Sequence, residues 1–368
     1  MNSKKIGIIT FLVFLGFLSG FFVNMYVLYP MEIKNLSNEM KTDYIKSEIY
    51  ETDVLSLIHV SDNFSKSKLQ NKITNYLWNQ NNLPDKELTK IEKNIFSEKY
   101  SNLKNLESID KLTIEMEYGV NSIAYLFNPL TSNDKLIIYH QGHRGDFVEG
   151  KQTIAYFLEK NYSVMAFSMP LLGMNSQPII DHPQFGKIKI QSHNQFELVE
   201  NENFSPIKFF VEPVIVSINY LEKYHTFDSY HMIGISGGGW TTTLIAALDD
   251  RINESFSVAG SHPIFLRSDP KNFGDYEQHH IEFYEIANYL DLYVMASTGL
   301  DRKFVQIFNK FDPCCFDGDS FSLYEQQVKE TVTNLDDGYF EIYLDDTHNE
   351  HIISNHTLEI IINELMSE

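Results

Sequence analysis

The sequence predicts an α/β fold in which helices cover both faces of a mainly parallel central sheet. From about residue 111 onward, short apolar segments typical of buried strands alternate with segments whose apolar residues recur at helical spacing. A Gly-x-Ser-x-Gly sequence at residues 234–238 also lies between a predicted strand and a predicted helix. Such alternation is typical of parallel sheets, because each parallel strand needs a crossover connection to reach the next.

The predicted elements follow one another along residues 111–368. The predicted strands cover residues 112–117, 122–127, 135–139, 162–167, 230–235, 256–258, 304–308 and 340–344. The predicted helices cover residues 151–160, 207–224, 240–248 and 358–365. Residues 173–205 show neither pattern and are predicted to be irregular.

The N-terminal region predicts a membrane anchor. Lys4 and Lys5 precede an apolar run from Ile6 to Tyr29, which is long enough for a helix of about 20 residues that crosses a bilayer. We therefore expect residues 1–30 to form a transmembrane signal-anchor, with the lysines in the cytoplasm and the rest outside. A cleaved signal and a secreted protein are the alternative. Residues 31–110 are predicted to be a polar, helical extension.

The composition argues against a nucleic-acid partner. The chain of 368 residues has a formal net charge of −21, and an acidic surface repels phosphate backbones. The two cysteines are adjacent, at positions 314 and 315, so the sequence contains neither a disulfide framework nor a cysteine-rich zinc motif.

Ser236 is the candidate nucleophile. It lies in Gly-Ile-Ser-Gly-Gly-Gly-Trp, residues 234–240, directly after a predicted strand and before a predicted helix. A serine on such a sharp turn needs glycine neighbours for close backbone approach, and the N-terminus of the following helix favours developing negative charge. The alternative is a glycine-rich turn or phosphate loop, but the lysine and hydroxyl residue of a phosphate loop do not follow.

Three further segments carry candidate polar residues after predicted strands. Residues 139–145 read Tyr-His-Gln-Gly-His-Arg-Gly, residues 309–313 contain Asp312 before a proline, and residues 345–354 contain His348 and His351. Asp312 alternatively serves only as a turn residue, since aspartate before proline is common in turns. A metal site built from His140 and His143 lacks a third ligand nearby in the sequence.

Taken together, these motifs resemble the α/β-hydrolase superfamily, in particular its esterase, dienelactone hydrolase and prolyl-oligopeptidase-like branches. The resemblance covers about residues 111–368 and implies a covalent acyl-enzyme without a cofactor. It implies that Ser236 is the nucleophile, Asp312 the acid and His351 the base. His348 is the alternative base, because it lies closer to the end of the last predicted strand.

The resemblance also implies an oxyanion hole and a variable insertion. The two backbone N–H donors are expected from Gly237 and His143, with Gln141 as the alternative to His143. Residues 173–205 correspond to a place where α/β-hydrolases can carry a cap. Its aromatic residues could then line an apolar pocket, namely Phe185, Phe196 and Phe204. A packed surface loop is the other interpretation.

The leading functional prediction is therefore a serine hydrolase acting on a small-molecule or lipid-like carboxylic ester at the outer face of the membrane. A serine peptidase or thioesterase with the same triad is the enzymatic alternative. A non-catalytic membrane-tethered binding protein is the alternative of another class, acting either through an inactive hydrolase domain or through residues 33–108.

Overall fold

The structure, a computed structural model, describes residues 53–267, 269–335 and 338–367. These residues contain one large sheet and one small hairpin. The large sheet has nine strands: β1 (Lys90–Glu92), β2 (Leu106–Glu115), β3 (Asn121–Pro129), β4 (Lys135–His140), β5 (Ser163–Phe167), β8 (Ser229–Ile235), β9 (Ile252–Val258), β10 (Lys303–Asn309) and β11 (Tyr339–Asp345). The hairpin pairs β6 (Ile179–His182) with β7 (Gly186–Lys189).

The large sheet is antiparallel at one edge and parallel over the remainder. Its strand order is β1-β2-β3-β5-β4-β8-β9-β10-β11. The pairs β1–β2, β2–β3 and β3–β5 are antiparallel, and all pairs from β5 to β11 are parallel. Every residue of β5 and nearly every residue of β4 is buried, as expected for strands covered by helices on both faces.

Helices connect the parallel strands and cover the sheet. The α-helices are α1 (Asn63–Trp78), α2 (Lys151–Glu159), α3 (Lys208–Tyr224), α4 (Gly237–Leu248), α5 (Tyr276–His279), α6 (Ile281–Ile286), α7 (Tyr289–Ser297), α8 (Glu325–Asn334) and α9 (Asn355–Met366). All residues of α4, which follows β8, are buried. Because α4 lies in the core, its N-terminus is held in a fixed position relative to the sheet.

Short 3-10 helices lie between these elements. They cover Val54–Leu57, Glu98–Tyr100, Glu117–Gly119, Phe147–Gly150, His193–Leu198, Ile264–Leu266, Pro270–Asn272 and Ser320–Leu323. The segment His193–Leu198 begins with a capping box formed by Ser192 and Gln195, which fixes where it starts.

The predicted fold class is confirmed for the sheet and its helices but needs correction before residue 111. The predicted helical extension contains α1, yet it also contains β1 and the start of β2. Polar side chains of helix α1 bond to residues of the α/β unit: Lys66 Nζ lies 2.9 Å from Asp250 Oδ1, and Trp78 Nε1 donates to Glu212 Oε2 at 2.8 Å. The described part of residues 31–110 is thus part of the main α/β unit.

The membrane prediction is also corrected. Among the described residues, no helix combines the length and the apolar character that crossing a bilayer requires. The span predicted at residues 6–29 lies outside the described residues. We therefore do not retain the transmembrane anchor, nor the outer-face location and the membrane partner that followed from it.

Candidate active site

Ser236 occupies the sharp turn between β8 and α4. Its backbone angles are φ 57° and ψ −128°, a left-handed conformation that is strained for a residue with a side chain. The glycines around it permit this turn. A Cβ at Gly234 would lie 2.0 Å from the carbonyl oxygen of Gly238, and one at Gly238 would lie 2.1 Å from that of His140. The sequence motif and the strained turn therefore coincide.

The loop after β4 packs directly against this turn. A Cβ at Gly142 would lie 2.5 Å from Ser236 Cβ and 3.2 Å from Ser236 Oγ. A Cβ at Gly237 would lie 2.4 Å from His143 Cε1. The two segments expected to form an oxyanion hole are therefore in contact, because both follow neighbouring parallel strands at the same edge of the sheet.

The backbone N–H groups of this loop differ in their availability. The N–H of Gln141 donates to the carbonyl oxygen of Phe167 at 2.9 Å, so it is already used. Among the hydrogen bonds of loops, turns and caps in the described residues, none has the N–H of His143 or Gly237 as its donor. This difference favours His143 over Gln141 as the partner of Gly237, and the oxyanion role itself stays a prediction.

Asp312 and His351 are brought together by the ends of β10 and β11. His351 Nδ1 lies 2.6 Å from Asp312 Oδ2. The other carboxylate oxygen accepts hydrogen bonds from the N–H groups of Cys314 and Cys315, at 2.8 and 3.3 Å. Burial opposes the charge of Asp312, but the bond with His351 and these two N–H groups outweigh it and hold the pKa of Asp312 below its usual value.

His348 takes a different partner. Its Nε2 lies 3.4 Å from Asp345 Oδ2, and its Nδ1 accepts from the N–H of Glu350 at 3.1 Å. Among the described residues, no hydrogen bond or ion pair joins His348 to Asp312. The geometry therefore pairs Asp312 with His351, the base favoured by the sequence, and leaves His348 as a neighbour of the strand end.

Two residues that sequence reasoning missed hold the loop that carries His351. Asn309 Nδ2 donates to the carbonyl oxygen of Ile352 at 3.0 Å. The buried Asp345 accepts from the N–H of Thr347 at 2.9 Å and from Thr357 Oγ1 at 2.8 Å, and it also accepts from Ser354 Oγ. Each of the two is the last residue of a parallel strand. A polar residue at the end of a buried strand was the sequence signal that could have identified them.

His351 Nε2 is buried and, among the described residues, has no hydrogen-bond partner, so it is not bonded to Ser236 Oγ. Catalytic hydrogen bonds are often long before substrate binds, so the missing bond between His351 Nε2 and Ser236 Oγ does not rule out His351 as a general base. A small cavity of about 120 Å³ adjoins His351 and includes Gln141 and Ile235 among its lining residues. Among the described residues, Nδ1 of His351 therefore pairs with Asp312, and Nε2 has no partner that would compete for a proton.

The stretch 173–205 is more ordered than predicted. It contains the hairpin β6–β7 and the 3-10 helix His193–Leu198. Phe196 is fully buried, Phe204 is partly buried, and Phe185 is 64% exposed, so the three aromatic residues do not share one environment. A cleft of about 720 Å³ lies beside the hairpin, and neither Ser236 nor His351 lines it. Whether this stretch acts as a cap stays a prediction.

Two groups of side chains in the described residues could supply metal ligands. One is Cys314, Cys315 and His351, but the two cysteines are joined in a disulfide. The other is His143, His193 and Glu277, of which only His143 was noted in the sequence. His193 and Glu277 lie far from His143 along the chain, so neighbouring sequence gave no signal for this cluster.

Substitution of Gly142 tests the contact between the loop and the nucleophile turn. In Gly142→Ala, the new Cβ would overlap Ser236 and displace either segment, and a misplacement of about 1 Å can cost about 100-fold in rate. We expect a loss of at least that size in kcat/KM for an activated ester. Gly145→Ala is the matched control: its Cβ meets nothing within 4 Å, so it carries only the backbone cost of φ +81°, about 1 kcal/mol. Equal activity of the two variants would contradict the contact.

Comparison with known proteins supports the fold assignment. No protein-family model matches the sequence, and no curated protein matches it. Among solved structures, acetyl xylan esterase 1 from Thermoanaerobacterium sp. JW/SL YS485 aligns with a TM-score of 0.56 at 12% identity, covering 85% of this chain and 98% of that chain. Acetyl xylan esterase from Paenibacillus sp. R4 aligns with a TM-score of 0.53 at 12% identity, covering 85% and 97%.

A methylesterase also aligns, with a TM-score of 0.56 at 14% identity, covering 83% of this chain and 64% of that chain. At these identities the likeness shows the fold, and together with the strand order it is the fold of the α/β-hydrolases. The family resemblance inferred from the motifs is confirmed at this level.

Proposed function

We propose that this protein is a serine hydrolase that cleaves carboxylic esters through an acyl-enzyme. The observation that carries the proposal is the pairing of His351 Nδ1 with Asp312 Oδ2 at 2.6 Å, at the same edge of the sheet as the strained Ser236 turn. Nucleophile, acid and base follow in the chain order of α/β-hydrolases. An ester as the substrate is supported by the structural neighbours, which are named as esterases.

In this proposal, Asp312 accepts the Nδ1–H of His351 and so leaves Nε2 unprotonated. Nε2 takes the proton of Ser236 Oγ while that oxygen attacks the ester carbonyl carbon. The resulting oxyanion accepts hydrogen bonds from the N–H groups of Gly237 and His143, and the N-terminus of α4 further favours its charge.

The tetrahedral intermediate then collapses. The bond to the leaving alcohol breaks, and the alcohol takes the proton from His351 Nε2, which leaves an acyl group on Ser236. A water molecule then attacks the acyl carbon while Nε2 accepts a proton from that water. When the carboxylic acid departs, Nε2 returns the proton to Ser236 Oγ. Each step uses a carbonyl carbon, one transferable proton and no cofactor.

We also propose a preference for short acyl groups. Two of the structural neighbours are named acetyl xylan esterases, and acetyl is the shortest common acyl group of natural esters. We therefore expect aryl acetates to be hydrolysed with a higher kcat/KM than aryl butyrates or octanoates.

A screen of aryl esters with increasing acyl length, at a fixed leaving group, tests this preference. Aryl thioesters and peptide anilides are included at equal concentrations, because the same triad can attack them. A maximum at acetate supports the proposal. A maximum at octanoate would contradict the short-acyl preference. If the protein hydrolysed only the anilides, its proposed function would be peptide cleavage and not ester cleavage.

A further inference from the structure

A second cluster of ionisable side chains lies beside the loop after β4. It joins His143 from that loop, His193 from the start of the 3-10 helix His193–Leu198, Glu277 from α5 and Asp275, which directly precedes α5. Three separate segments thus meet at four side chains. Asp275 occupies the N-cap position of α5, but its side chain makes no capping hydrogen bond, and its carboxylate lies near the two imidazoles instead.

Three of the four separations between the ligand atoms match those around a tetrahedral ion. The fourth is a hydrogen bond, in which His143 Nε2 lies 2.8 Å from Glu277 Oε1. His143 Nε2 also lies 3.5 Å from Asp275 Oδ2. His193 Nδ1 lies 3.3 Å from Glu277 Oε2 and 3.5 Å from Asp275 Oδ2. Ligand bonds of about 2.0–2.2 Å, as in zinc sites, would place tetrahedral ligand atoms roughly 3.3–3.6 Å apart.

The hydrogen bonds around His193 direct its lone pair into the cluster. His193 Nε2 lies 2.9 Å from the carbonyl oxygen of Pro170, which can only accept, so Nε2 carries a proton and the neutral ring has its lone pair on Nδ1. A backbone carbonyl that accepts from the second ring nitrogen is the usual support of a metal-binding histidine.

Two buried acceptor atoms consequently face one another. His193 is 3% exposed and Glu277 is 0% exposed. In the described residues, His193 Nδ1 and Glu277 Oε2 have no hydrogen-bond partner although they lie only 3.3 Å apart. Buried lone pairs in this arrangement are costly unless a cation lies between them. That cation is either a metal ion or a proton that converts His193 to imidazolium.

The geometry points to a metal ion. We propose that His143 Nε2, His193 Nδ1, Glu277 and Asp275 bind one divalent transition-metal ion, with Zn²⁺ as the preferred occupant. Two imidazoles and two carboxylates form a ligand set of nitrogen and oxygen atoms suited to Zn²⁺, whereas Ca²⁺ and Mg²⁺ prefer oxygen ligands alone.

The ion would fasten the 173–205 stretch and α5 to the loop after β4. The imidazole of His143 lies against Gly237, so the same side chain connects the site to the nucleophile turn. Four protein ligands leave no open position, which indicates a structural rather than a catalytic ion. The proposal concerns binding alone and does not depend on Ser236 being a nucleophile.

Zinc binding by the purified full-length chain tests the proposal. The protein is treated with a chelator, dialysed and titrated with ZnCl₂ in competition with a chromophoric chelator. We expect one Zn²⁺ per chain. Titration with Co²⁺ should give the intense visible absorption of tetrahedral coordination. Zn²⁺ should also raise the unfolding midpoint, because an ion that binds only the folded state stabilises it.

Three variants locate the site. Asp275→Asn changes a carboxylate whose side chain is 45% exposed, so it should fold, and His193→Gln removes a buried imidazole ligand. Each should weaken Zn²⁺ binding at least about tenfold, since even supporting partners of metal ligands contribute 10–100-fold. The control Glu197→Gln, an exposed carboxylate in the same 3-10 helix as His193, should bind Zn²⁺ like the unaltered protein.

Two results would overturn the proposal. One is the absence of Zn²⁺ binding by the folded, unaltered protein, which would leave a protonated His193 as the cation of the cluster. The other is Zn²⁺ binding that Asp275→Asn leaves as tight as in Glu197→Gln, which would place the ion elsewhere. Should His193→Gln fail to fold, the comparison of Asp275→Asn with Glu197→Gln still decides whether the ion binds at this cluster.

Discussion

Ser236→Ala is expected to abolish ester hydrolysis and to leave the fold intact. The hydroxyl lies on a partly exposed turn, and no hydrogen bond of the described residues uses it to hold the core together. Its loss removes the atom that would form the acyl bond, and losing the nucleophile of such a triad lowers turnover by about 10⁴- to 10⁶-fold. The measurement is kcat/KM on an aryl acetate, together with the unfolding midpoint.

Ser132→Ala is the matched control for this variant. Ser132 is exposed in the loop before β4, where its Oγ accepts from the N–H of Asp134 at 2.9 Å. It should retain activity. An unaltered rate in Ser236→Ala would show that the strained turn serves the fold and not the chemistry.

The second large effect is expected at His351. His351→Gln should lose at least about 10³-fold in kcat/KM, whereas His348→Gln should lose less than about tenfold. The reason is that His351 pairs with Asp312, while His348 lies beside Asp345, whose remaining hydrogen bonds hold the strand end and the start of α9. Glutamine keeps a polar side chain of similar size but cannot act as a base at neutral pH.

The two histidine variants control for one another, because they lie in the same loop and have equally exposed side chains, 12% each. Both should fold with similar unfolding midpoints. If His348→Gln lost more kcat/KM than His351→Gln, we would assign the base to His348, and the pairing of His351 with Asp312 would need a structural explanation.

The sequence was most informative where local structure and chemistry coincide. The turn around Ser236 requires glycines, a preceding strand and a following helix, and all three are adjacent in the chain. The parallel strands were also predictable, because strands buried on both faces, such as β4 and β5, are continuously apolar. The choice between His351 and His348 depended on side-chain direction, which a pattern does not supply.

Interactions between distant segments could not be predicted in this way. The contact of Asn309 with Ile352 and the meeting of His143, His193 and Glu277 arise from the order of the strands and the path of the insertions. Within residues 31–110, β1 joins the sheet edge because it pairs with β2, although its three residues are too few to show a strand pattern.

The most direct test of the proposed acyl-enzyme is covalent trapping by a fluorophosphonate. Such a reagent reacts with an activated serine and leaves a stable phosphonyl group on its oxygen. The full-length protein is labelled and digested, and the modified residue is located by mass spectrometry of the peptides. We expect one phosphonyl group per chain, on Ser236, with labelling lost in Ser236→Ala and strongly slowed in His351→Gln. An unlabelled protein that hydrolyses esters, or a label on another serine, would contradict it.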